Sequence, residues 1–135
     1  MKRIASLFVI VCAALAVVAS GALAGSPHFV TASASRTGNT LTATFKEAGL
    51  GNEPQVHVVL SATAECINGG SNHPKAANKE QVRAEGTFPV QNGKAEGTLS
   101  LSSTLSCSPP MTIRFVNVSL TDTTSGITAK IPGTF

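Results

Sequence analysis

The chain has 135 residues, ten of them Lys or Arg and seven Asp or Glu, and only 13 % of its residues are charged, where about 25 % is usual. Two of the basic residues, Lys2 and Arg3, precede an apolar run, so residues 25 to 135 carry eight basic against seven acidic side chains, a net charge of +1. A nearly neutral chain without a clustered basic face argues against nucleic acid or an anionic membrane as the partner.

The apolar run from Ile4 to Ala19 ends in Ser20-Gly-Ala-Leu-Ala24, which puts small residues at Ala22 and Ala24. This pattern predicts a secretory signal peptide over residues 1–24, cleaved after Ala24, with no membrane attachment afterwards. The run falls short of the roughly 20 apolar residues a membrane span needs. Cys12 leaves with the signal, and residues 25–135 are long enough for one domain with a genuine core. Cys66 and Cys107 remain, and in the oxidising surroundings of a secreted, extracellular protein they are expected to form a structural disulfide.

In chain order, Phe29, Val30, Ala32 and Ala34 predict a first strand, ended by the turn-forming Arg36-Thr-Gly-Asn39. Leu41, Ala43 and Phe45 alternate with Thr42 and Thr44 in a second strand, after which Glu47-Ala-Gly-Leu-Gly-Asn-Glu-Pro54 breaks the pattern. The clearest alternation is Val56, Val58, Leu60, Ala62, Ala64 and Cys66 against His57, Ser61, Thr63 and Glu65, a strand with one buried face. Val82, Ala84, Gly86, Phe88 and Val90 predict a fourth strand, followed by Asn92-Gly93, a dipeptide suited to a type I′ hairpin turn. With a two-residue loop, Val90 is expected opposite Ala95, Phe88 opposite Gly97, Gly86 opposite Leu99 and Ala84 opposite Leu101. The buried phase runs through Leu99, Leu101, Leu105 and Cys107, then changes near Phe115 between odd Ile113 and even Val116, Val118 and Leu120, which predicts a β-bulge or a strand covered on both faces. Ile127, Ala129 and Ile131 make the last strand. Seven or eight short strands with frequent turns and an inward cysteine pair predict an all-β fold, a single immunoglobulin-like β-sandwich. A small closed β-barrel is the alternative.

The most unusual stretch is the polar loop Ile67 to Glu80. Asn68, Asn72, His73, Lys75, Asn78 and Lys79 supply amide, imidazole and ammonium groups on a segment anchored at Cys66, and long loops in compact domains are often functional. These six residues are the candidate binding loop. The bland alternative is a loop whose asparagines bond its own backbone. Catalytic machinery is hard to find: Asp122 is the single aspartate, and His28, His57 and His73 lack a recognisable nucleophile motif or metal-ligand spacing. No cofactor and no metal are expected. With neither Trp nor Tyr, and with phenylalanines in buried phase, an aromatic sugar-stacking platform is not expected either. Asn117-Val-Ser119 matches a glycosylation sequon and reads as chance on a packed strand.

The loop Cys66-Ile-Asn-Gly-Gly-Ser-Asn-His-Pro-Lys-Ala-Ala-Asn-Lys-Glu80, with Phe45-Lys-Glu-Ala-Gly-Leu-Gly51, Leu120-Thr-Asp-Thr-Thr124 and Ile131-Pro-Gly-Thr-Phe135, resembles a group of small exported bacterial proteins of unassigned function. The resemblance implies export and the Cys66–Cys107 pairing, and it transfers no activity or site. The sequence therefore predicts a secreted, non-catalytic module that binds an extracellular partner through the loop after Cys66. Self-association through sheet edges in an envelope-associated protein, and a hydrolase with a dispersed site, are the alternatives.

Overall fold

Alternating apolar residues need a second layer to bury them, and here two antiparallel sheets supply it to each other. A computed structural model describes residues 25–68 and 78–135; the expected signal peptide and the middle of the polar loop, residues 69–77, lie outside it. Seven strands follow in order: β1 (His28–Thr37), β2 (Thr40–Ala48), β3 (Gln55–Ile67), β4 (Lys79–Pro89), β5 (Ala95–Ser102), β6 (Thr112–Asp122) and β7 (Ile127–Ile131). One sheet has the order β1-β2-β5 and the other β4-β3-β6-β7, so neither closes into a barrel. The described residues contain no α-helix.

The predicted inward residues meet between the sheets. Leu41, Ala43 and Phe45 of β2 and Val56, Val58, Leu60, Ala62 and Ala64 of β3 are buried, with Leu99, Leu101, Phe115, Val118 and Leu120 from the later strands. Phe45 sits edge-on to Phe29 at 6.0 Å and to Phe88 at 5.0 Å between ring centroids, the T-shaped arrangement that ring quadrupoles favour. The C-terminus is part of this packing: Phe135 exchanges two backbone hydrogen bonds with Phe115, at 2.8 and 3.0 Å.

Two expectations are corrected. The Asn92-Gly93 turn forms as expected, with φ of 53° and 73° and reciprocal Gln91–Lys94 backbone bonds of 2.8 and 3.0 Å. The strands it joins do not pair further, because β4 turns to β3 and β5 to β2. The matched apolar residues meet across the gap between sheets, where the Phe88 ring covers Gly97 and Leu99 packs at Gly86. The second correction concerns β3, whose outer face is also covered at one end. Thr63 and Glu65 are buried, under Gln81, Lys79 and Arg114 of the flanking strands. The phase change in β6 is a bulge: the register with β3 shifts between Ser61 and Thr63, opposite a segment in which Asn117 takes a φ of 52°.

The turn gives a simple test. Gly93→Val should destabilise the domain by about 1 to 3 kcal/mol, because a β-branched residue resists positive φ. Lys94→Ala, at an exposed position, should stay within about 0.5 kcal/mol. Equal urea midpoints for the two variants would refute the turn's role.

Candidate functional site

The strand directions sort the loops into two groups. The β1–β2 turn, the two feet of the β3–β4 segment and the β5–β6 connection lie at one end, and the β2–β3, β4–β5 and β6–β7 connections at the other.

At the first end Cys66, the last buried residue of β3, bonds to Cys107 in the β5–β6 connection, with an S–S distance of 2.04 Å. Glu65 beside it is 6 % exposed, accepts a hydrogen bond from Arg114 Nε at 2.8 Å and lies 3.9 Å from Lys79 Nζ. Glu80 fastens the β5–β6 connection a second time. Its carboxylate accepts hydrogen bonds from Ser103 Oγ at 2.7 Å, Thr104 Oγ1 at 2.7 Å and the Thr104 amide at 3.0 Å. The Ser103 and Thr104 hydroxyls favour the charged form and hold the Glu80 carboxyl below its ordinary value. The stability Glu80 contributes is therefore present above that ordinary value and lost as pH falls through the lowered one.

Of the candidate loop residues, Asn72, His73 and Lys75 lie outside the described residues. Asn68 follows the last residue of β3, Asn78 points its amide at Met111 Sδ at 4.0 Å, and Lys79 opens β4 opposite Glu65. Asn78 and Lys79 thus form one foot of the loop and Cys66 the other. His28 and His57 are not gathered there. His28 Nδ1 meets the Ser26 carbonyl at 2.8 Å, while His57, on β3's outer face, meets Thr87 Oγ1 at 3.2 Å and Glu85 at 3.6 Å. Among the described residues no group of three or more His, Cys, Asp or Glu could hold a metal ion.

Two features escaped the sequence reading. The outer face of the three-stranded sheet carries hydroxyls in register: Ser33–Thr44–Thr98, Ser35–Thr42–Ser100 and Thr37–Thr40–Ser102 form three rows across β1, β2 and β5. Oγ atoms of β2 and β5 bond along each row, at 2.9 Å for Thr40–Ser102 and 3.0 Å for Thr42–Ser100. On this outer face a charged row, Thr31–Lys46–Glu96, borders the grid.

The other feature lies at the opposite end. Glu47 of β2 and Asp122 of β6 are 1 % and 0 % exposed. Asp122 Oδ1 accepts the amides of Thr124 and Ser125 at 2.8 and 3.1 Å, which fixes the β6–β7 turn. Its other oxygen and both Glu47 oxygens have no hydrogen-bond donor. Burial, then the Asp122 charge, raise the Glu47 pKa from 4.5 to about 7. A hollow of about 540 Å³, lined by Val30, Lys46, Glu47, Pro89, Gln91 and Lys94 among others, opens beside it.

Comparison with family models, curated proteins and solved structures found no match.

Proposed function

We propose that the protein is a secreted, non-catalytic binding module of immunoglobulin-like design that meets an extracellular partner through the segment between β3 and β4. The observation that carries this reading is the double bracing of that segment's feet. Cys66 is tied covalently to Cys107, and immediately across the loop Lys79 and Glu80 are tied to Glu65, Ser103 and Thr104. A rigid support for a polar loop is what a recognition site requires, since it limits the ordering entropy lost on binding. The strand order, with β4 beside β3 and β5 beside β2, supports the immunoglobulin-like assignment within the wider group of Greek-key sandwiches. A disulfide-bonded domain suits secretion.

His73→Ala with Lys75→Ala tests the reading and leaves the Lys79 brace intact. The wild-type domain, displayed on peptide and glycan arrays, should retain a ligand that the double variant loses, while the thermal midpoint stays within about 2 °C because neither substitution removes a brace of the loop's feet. Equal retention by both proteins, or none by the wild type, counts against it.

The hydroxyl grid favours a second reading, an envelope-associated protein that stacks or pairs through the three-stranded sheet. Its edge strand β1 has no charged residue from Phe29 to Ser35 and carries exposed Val30. Concentration-dependent sedimentation abolished by Ser33→Lys would favour this reading over the first.

A further inference from the structure

We propose that Glu47 and Asp122 form a proton-operated latch between the two sheets, which holds the turn end of the domain closed in acid and loosens it above neutral pH. The geometry is that of an incomplete hydrogen-bond set. Glu47 projects inward from β2, Asp122 from β6 in the facing sheet, and three of their four oxygens are buried without a donor. Two carboxylates have no hydrogen to share. One proton on Glu47 supplies the missing donor toward Asp122 and removes one of two like charges from an apolar site. Asp122 Oδ1 is already engaged by two backbone amides, so Oδ2 is the acceptor it offers toward Glu47.

Among the described residues the other buried charged side chain, Glu65, lies at the disulfide end, far from the pair. Opposite Glu47, β1 presents Phe29 and β5 presents Ala95, and the loop after β2 contributes buried Leu50. Lys46, Lys94 and Glu96 line the neighbouring hollow and are exposed, so water screens them. His57 and Glu85 face outward on the other sheet. With the proton lost, the low-cost response is entry of water along the hollow beside Glu47. The first parts to loosen are then the Thr123–Gly126 turn and the contact between Leu50 N and Gly93 O, at 3.0 Å.

The direction follows from linkage. Glu47 binds its proton more tightly when folded, so the stability it contributes is complete below pH 4.5 and is lost as pH rises through about 7. Glu80, with its opposite shift, loses its contribution only below that window.

The full domain is melted between pH 5 and pH 8.5, and amide exchange is followed at Leu50, Thr124 and Ser125 and, as a remote reference, at Ala64. The wild-type midpoint should fall by roughly 5 to 10 °C across the range, and protection, corrected for intrinsic rate, should fall at the first three amides and hold at Ala64. Glu47→Gln mimics the protonated acid with a donor amide. It should match the wild type at pH 5 and remove most of the pH dependence with all three histidines in place. Asp122→Asn, which keeps the Oδ1 acceptor, adds a donor and removes the second charge, should reduce the pH dependence by a smaller amount because Glu47 stays buried, so a folding failure of one variant leaves the other to decide. A wild-type midpoint that is flat with pH, a slope undiminished in the variants, or protection lost equally at Ala64 would overturn the latch.

Discussion

Cys66→Ala should lower the stability of the domain by about 2 to 5 kcal/mol, the usual loss when a native disulfide leaves a small domain. The bond joins residues 41 apart, for which the chain-entropy model gives about 4 kcal/mol. Its local setting makes a value in the upper part of the range reasonable. Residues 103–111 pair with no strand, and besides the disulfide they are fastened by the Glu80 carboxylate and by the backbone bond from Ser103 N to Asn39 O at 3.0 Å. Without the disulfide more of that fastening falls on a half-exposed carboxylate, and the variant should become more sensitive to acid than the wild type. Urea denaturation of Cys66→Ala, Cys107→Ala and the double variant measures the effect. All three should fall together, because each removes the same bond. A double variant much weaker than either single change would mean that the cysteines contribute by packing and not by their bond.

The second large effect concerns the contact between the sheets beyond the hairpin. A Cβ added at Gly97 would clash with Cε1 and Cδ1 of the Phe88 ring, which is itself held edge-on against Phe45. Gly97→Val should therefore cost about 3 kcal/mol, since a displaced Phe88 loses its aromatic partner and pushes on fully buried Phe45. The cause is separable from any strand-propensity effect by a double-mutant cycle. Gly97→Ala in a Phe88→Ala background should cost at least about 1 kcal/mol less than in the wild type, as residues in direct contact are not additive. Additivity within about 0.5 kcal/mol would show that the ring does not set the limit at Gly97.

Much of this was legible in the sequence, and for identifiable reasons. Period-two alternation located the strands, and the phase of Cys66 placed it in the core with its partner close by. Alternation carries no information on which sheet a strand joins. The apolar pairs flanking Asn92-Gly93 match equally well as neighbours in one sheet or as opposing layers, and here they are opposing layers. Glu47 had a visible signal. It continues the inward odd phase of Leu41, Ala43 and Phe45, as Asp122 continues Val118 and Leu120, but a charged residue beside glycines reads as the start of a loop. Burial of Glu65 was invisible because it depends on the flanking strands, whose Arg114 and Lys79 lie far along the chain. The hydroxyl grid required the register of three strands, which no single stretch contains.

The alternation of strands between the two sheets also governs how long the chain takes to assemble. β1 and β2 are neighbours joined by a short turn, but β5, which completes their sheet, follows β3 and β4 of the other sheet. β6 must then return to β3 across the whole of β4 and β5. Each such closure incurs loop entropy before its contacts offset it, so folding should occupy milliseconds to seconds and not microseconds. In a chain that appears N-terminus first, Leu41, Ala43 and Phe45 stay uncovered until the later strands have followed, and that interval is when the protein is most exposed to unwanted association.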